Sequence, residues 1–193
     1  LGGTVAMPDS FSADVAARIL SAGGNAVDAA VAGALVLAVT YPEAGNLGGG
    51  GFMLTYVDGA AQFLDYRETA PAAATRDMYL DARGEVIAGL SLTGHRAVGV
   101  PGTVAGLWEA HRRYGRLPWG DVVEPAVQLA QHGFQVPPLL AERATAEQSR
   151  FEHTNFAQYF GGLRHDARFR QPELAATLRR IQDSGPAGFY EGE

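Results

Sequence analysis

The sequence predicts a mixed α/β domain. Three observations lead there: an apolar helix-length run from Ala26 to Val39, two alternating segments joined at Asp58-Gly59, and a series of helix-period stretches after Pro101. At 193 residues the chain is long enough for one sizeable core, and with no evident linker it reads as a single domain or a large part of one.

Leu1 to Met7 is short, apolar and glycine-led, the pattern of a first strand. Ser10 or Ser12 caps a helix through Val15, Ile19 and Leu20, which would pack on the sheet while Asp14 and Arg18 face water. Gly23 and Gly24 suit its end, and Asn25 suits the start of the next helix because its side-chain oxygen can accept an orphan backbone N–H. From Ala26 to Val39 the only charge is Asp28, in the first turn, where the helix dipole favours an anion. A helix apolar all round is buried, and this one falls short of the roughly 20 residues that span a bilayer.

After Pro42 come a turn-rich segment, Glu43 to Leu47, and four consecutive glycines, Gly48 to Gly51. Such a run costs chain entropy, so it marks either positive φ or a place where a side chain would collide. Phe52 to Val57 reads as a strand, Asp58-Gly59 as the hairpin turn, and Ala61 to Tyr66 as the returning strand. Ala70 before Pro71 is biased away from helix, and Arg83-Gly84 is a turn. Ala97 to Val100 reads as a short strand broken by Pro101-Gly102. Thr103 caps a helix through Val104, Leu107, Trp108 and His111 to Gly115, and a second runs from Trp119 to a stop at Gly133. A third covers Leu139 to Gln148, and Phe151 to Arg170 has no clean period. Glu173 to Asp183 is the last helix, closed by Gly185-Pro186.

With 15 basic against 21 acidic residues, the net charge is −6 and the basic residues are scattered, which argues against nucleic acid and for a small-molecule or peptide substrate. The absence of cysteine excludes disulfides, thiol nucleophiles and thiolate metal sites. His95, His111, His132, His153 and His165 show no short metal-ligand spacing, and no G-x-S-x-G elbow occurs. The glycine run invites a phosphate-loop reading, but such motifs run strand, glycines, helix, whereas here the glycines follow a helix and precede a strand. Close packing of backbone is the simpler reading.

Arg67 stands out, at a strand end between Asp65 and Glu68. Alternation puts Asp65 on its own face, where a carboxylate could hold the guanidinium. A fixed fork of this kind suits a substrate carboxylate, while spacing alone favours a structural Arg–Asp pair with no ligand, since such pairs are common.

The run GGNAVDAAVAGALVLAVTYPEAGNLGGGGFMLTY, with DYRETAPAAATRDMYLD, SLTGHRAVGVPGTVAGLWEAHRRYG, VVEPAVQLAQHGF and GPAGFYEGE, closely resembles the front of the large subunit of γ-glutamyltransferases, the glutathione hydrolases. This resemblance implies an α+β fold, the N-terminal nucleophile hydrolase αββα sandwich of two stacked antiparallel sheets between helical layers. Residues 1–193 would be one partial domain of it. It also implies a self-cleaving precursor whose nucleophile, the threonine opening the small subunit, would lie beyond Glu193, so no catalytic residue is expected in this chain. Arg67 aligns with the arginine of the family's D-[FY]-R-E motif, which holds the donor's α-carboxylate.

The implied reaction cleaves the γ-glutamyl amide of glutathione and passes the glutamyl group to water, an amino acid or a peptide, with no cofactor and no metal. The implied partners are a γ-glutamyl substrate and the precursor's own small subunit, with no nucleic acid and no membrane. This chain alone is expected to be inactive and, with open sheet edges, prone to self-association. A periplasmic or secreted location is expected. Alternatives are a same-fold cephalosporin acylase or poly-γ-glutamate hydrolase, or a non-catalytic remnant used for binding.

Overall fold

The computed structural model describes residues 3–192. The chain divides into two compact units, one running to Asn46 and resuming at Leu107, the other Leu47–Gly106.

The first unit is helical at its start. Helix α1 (Ser10–Ser21) is capped by Asp9, whose carboxylate accepts from Ser12 N at 2.7 Å, in place of the serine caps expected from the sequence. Aspartate wins because its two oxygens serve two helices: the second accepts from the buried Thr40 hydroxyl at 2.5 Å. Of the expected first strand, Leu1 and Gly2 lie outside the described residues, and Gly3 to Met7 forms no ladder. Helix α2 (Ala26–Thr40) starts where the sequence places it. Asn25 takes the N–H groups of Val27 and Asp28, and Asp28 returns the bond to Asn25 N, closing a capping box. Its buried faces include Val31, Ala32, Leu35, Val36 and Val39. Helix α1 packs on α2 and not on a sheet, as its apolar stripe finds a helix that is apolar all round.

The second unit holds strands β1 (Phe52–Val57) and β2 (Ala60–Asp65), an antiparallel hairpin in the register Phe52↔Asp65 to Val57↔Ala60. Asp58 and Gly59 both take positive φ, 52° and 81°, the backbone of a two-residue turn that matches strand twist. Where a strand was expected at Ala97–Val100, the chain makes a 3₁₀ turn, His95–Ala97, followed by a single bridge, Thr69↔Val100. Glycine at position 99 and Pro101-Gly102 leave too little continuous backbone for a ladder.

Helix α3 (Thr103–Tyr114) leads back into the first unit, which continues with α4 (Trp119–His132), β3 (Phe134–Gln135), α5 (Pro138–Glu147), α6 (Phe156–Phe160), β4 (Arg168–Phe169), α7 (Pro172–Ser184) and α8 (Ala187–Tyr190). Gly133 and Gly185, at φ 78° and 58°, stop α4 and α7 as their sequence positions indicate. Helix α4 lies between α2 and α7, bringing Val122, Val123, Val127, Leu178 and Ile181 into one core with α2. The indole N–H of Trp119 donates to Ile181 O at 2.9 Å, and Gln171 reaches Val39 O at 2.8 Å.

Candidate functional site

The site forms where the glycine run, the end of β2 and the start of α3 meet within the second unit. The hairpin ladder continues one step beyond β1 and β2, with Gly51 N donating to Tyr66 O at 3.3 Å and Tyr66 N to Gly51 O at 3.0 Å. Three residues later Thr69 and Val100 exchange backbone bonds of 3.2 and 2.8 Å. Gly102 N and Thr103 N both donate to Gly49 O, at 2.8 and 3.0 Å, which fastens the first turn of α3 to the glycine run. The segment Tyr66–Glu68 is therefore held on both sides by backbone.

Space, and not positive φ, is what Gly50 and Gly51 supply: none of Gly48–Gly51 is among the positive-φ glycines of the described residues. A methyl group at Gly50 would stand 2.6 Å from Tyr66 O and 2.8 Å from both Arg67 Cα and Glu68 N. The Tyr66 ring lies against Gly106 and Gly51, and its burial pushes the phenol above its ordinary pKa.

Arg67 leaves this channel with its side chain 61% exposed. Its Nε donates to Glu68 Oε2 at 3.1 Å, and its guanidinium carbon sits 5.6 Å from the centroid of the Phe52 ring, which itself stacks on Phe63 at 5.6 Å. The expected Asp65 partner is corrected. Asp65 Oδ1 accepts from the backbone N of Arg67 at 2.9 Å, because β2 ends at Asp65 and a short carboxylate reaches the N–H two residues on more easily than a long side chain. Glu68 takes the guanidinium instead. Its own backbone N–H first, and Arg67 second, hold its carboxyl below the ordinary range.

Phe52 and Glu68 were not singled out in the sequence, although each had a signal. Glu68 is the next residue after Arg67, and the hairpin register places Phe52 opposite Asp65. The histidines divide differently. His153 and His165 are exposed beside Glu152 and Asp166, while His111 is held in the first unit by Leu117 O at 2.9 Å. Among the described residues no group of three or more His, Cys, Asp or Glu side chains could hold a metal, and no helix is long and apolar enough to cross a membrane.

A cavity of about 580 Å³ lies in the first unit, with Leu140, Phe151, Phe156, Phe160 and Leu163 in its wall. Its arginines are matched by carboxylates, Arg143 by Glu43 and Arg150 by Glu147, and Arg67 is not among its lining residues. The Arg67 platform is an open surface of this chain.

The fold of this chain is similar to that of solved structures. The γ-glutamyltranspeptidase from Pseudomonas nitroreducens, complexed with L-DON, superposes with a TM-score of 0.96 at 58% identity, over 100% of this chain and 58% of that one. The Helicobacter pylori γ-glutamyltranspeptidase gives 0.93 at 37% identity, again over 100% of this chain and 58% of the other. The fold is thus the α+β fold of the N-terminal nucleophile hydrolases, in the part that this chain spans. Its strands, among the described residues, make two two-stranded sheets.

The γ-glutamyltranspeptidase family model matches residues 12–193, and the chain belongs to that family. The glutathione hydrolase proenzyme of Pseudomonas aeruginosa is 58% identical over 99% of this chain. This chain spans about a third, 34%, of that relative's length.

Proposed function

We propose that the full-length protein is a γ-glutamyltransferase, or glutathione hydrolase, made as a precursor and cut into two subunits. In this reading the chain is the N-terminal part of the large subunit, and the small subunit is its partner. The γ-glutamyl amide of glutathione is attacked by a threonine outside this chain, and the resulting acyl-enzyme is resolved by water, an amino acid or a peptide. No residue of this chain breaks a bond, and no cofactor or metal takes part. A periplasmic or secreted location accompanies the reading.

Arg67 is the substrate-binding residue. The observation that carries this is its geometry: Nε is engaged by Glu68 and the ring of Phe52 lies beneath the guanidinium, which leaves the Nη edge of the fork for the donor's α-carboxylate. Support also comes from the name of the Pseudomonas aeruginosa relative, a glutathione hydrolase proenzyme. Because the arginine positions the donor without joining the chemistry, Arg67→Ala in the full-length enzyme is expected to raise KM for γ-glutamyl donors about a hundredfold, the loss of a charge-assisted contact worth up to about 3 kcal/mol. Steady-state kinetics with a γ-glutamyl anilide measure this, and an unchanged kcat/KM would end the assignment.

A further inference from the structure

We infer that Gly50 and Gly102 are positioning residues for donor binding, acting through the backbone of Arg67. The inference rests on the proposed role of Arg67 and adds what sets its place.

Tyr66–Glu68 passes between these two glycines at distances that no other residue would permit. The three atoms nearest a methyl at Gly50 would all be backbone: Tyr66 O at 2.6 Å, Arg67 Cα at 2.8 Å and Glu68 N at 2.8 Å. From the other side, a methyl at Gly102 would run into Tyr66 O and stand 2.8 Å from Tyr66 C and 3.0 Å from Arg67 O. Contacts this close cannot be relieved by turning a side chain, so an added carbon must part the glycine's backbone from the main chain that carries Arg67. The glycine run is not uniform in this respect. A methyl at Gly48 meets nothing within 4 Å, and the nearest atoms to one at Gly51 belong to the Tyr66 side chain and not to backbone.

Neither Gly50 nor Gly102 is among the described glycines with positive φ, so their task is clearance and not conformational freedom. The clamp closes on itself, since Gly102 N bonds Gly49 O at 2.8 Å, tying one jaw to the other. Displacement by an ångström is enough to spoil a bidentate contact with a carboxylate whose other end is fixed at the reacting centre. The effect then falls on donor binding, with the chemistry on the threonine little changed.

The test is a double-mutant cycle in the full-length enzyme, comparing Gly50→Ala, Gly102→Ala and Arg67→Ala singly and in pairs. Each glycine variant is expected to raise KM for a γ-glutamyl anilide about tenfold with kcat held within about threefold, and to add less than about twofold in the Arg67→Ala background. Equal factors with and without Arg67, an unmoved KM, or a loss confined to kcat would overturn the inference while leaving the role of Arg67 intact. An Arg67→Ala enzyme with unchanged donor KM would remove the reading beneath it instead. If one glycine variant is recovered unfolded, the other decides. If both are unfolded, the glycines serve folding and the inference falls.

Discussion

At the scale of single residues the most heavily committed side chain is Asp28. It is fully buried, yet both carboxylate oxygens are occupied. It accepts from Asn25 N at 2.8 Å, from Arg116 N at 3.0 Å through each oxygen, and lies 3.5 Å from His111 Nε2. The start of α2 is thereby fixed to the α3–α4 connection, and Asn25 adds a bond to Tyr114 O. Sequence reasoning saw only a charge favourable to a helix dipole, because the partners lie nearly ninety positions away and are backbone N–H groups, which leave no mark on composition. Asp28→Ala strips a capping interaction and takes the shared acceptor from the part-buried backbone N–H groups of Asn25, Arg116 and Leu117, so it is expected to destabilise the fold by about 3 kcal/mol, whereas Asp14→Ala on the exposed face of α1 stays within about 0.5 kcal/mol. Urea unfolding of the two variants measures the difference, and equal midpoints would refute it.

At the scale of elements, α3 shows how charge finishes a helix. Glu109 bonds Arg112 at 2.9 Å and Arg113 at 2.6 Å, pairs set three and four residues apart on one face, and both cations stand in the last turn where the helix dipole favours them. Hydrogen bonds from Arg112 first and Arg113 second lower the Glu109 carboxyl from 4.5 to about 2. The folded pKa lies below the unfolded one, so the support is complete above about pH 4.5 and lost as pH falls toward about 2. An NMR titration of the Glu109 carboxyl is expected to show a midpoint well under 4, against the ordinary value once Arg112 and Arg113 are both alanine. Elements of this kind were legible when their pattern was local: the Asn25 cap, the helix stops at Gly133 and Gly185, and the Asp58-Gly59 hairpin all rest on neighbours in sequence. Strands β3 and β4 were not legible, because each has two residues and exists only through its distant partner, Phe134 against Phe169. The Arg67 site was half legible: the arginine and its D-Y-R-E setting could be read, but the glycine clearances depend on which backbone crosses which.

For the molecule as a whole, the balance between covered and uncovered apolar surface decides its behaviour in solution. The helical core buries its leucines and valines almost completely, but the hairpin does not: Phe52, Leu54, Tyr56 and Phe63 are 54, 76, 77 and 65% exposed. The register puts them on one face, with Leu54 directly opposite Phe63. A two-stranded sheet is marginal by itself, and among the described residues β1 and β2 pair only with each other, so two edges and one aromatic face stay open. Surface of this kind associates with whatever covers it, and in a solution of this chain alone the available cover is a second copy. Sedimentation velocity on the chain is therefore expected to show a weight-average mass that climbs with concentration. A lysine at the centre of the face opposes that contact by its charge and its hydration while leaving the β1–β2 backbone ladder unchanged, so Leu54→Lys is expected to return the chain towards a single monomeric boundary. A parent chain that sediments as a monomer at every concentration, or a Leu54→Lys chain that associates as strongly as the parent, would show that this face is not where association occurs.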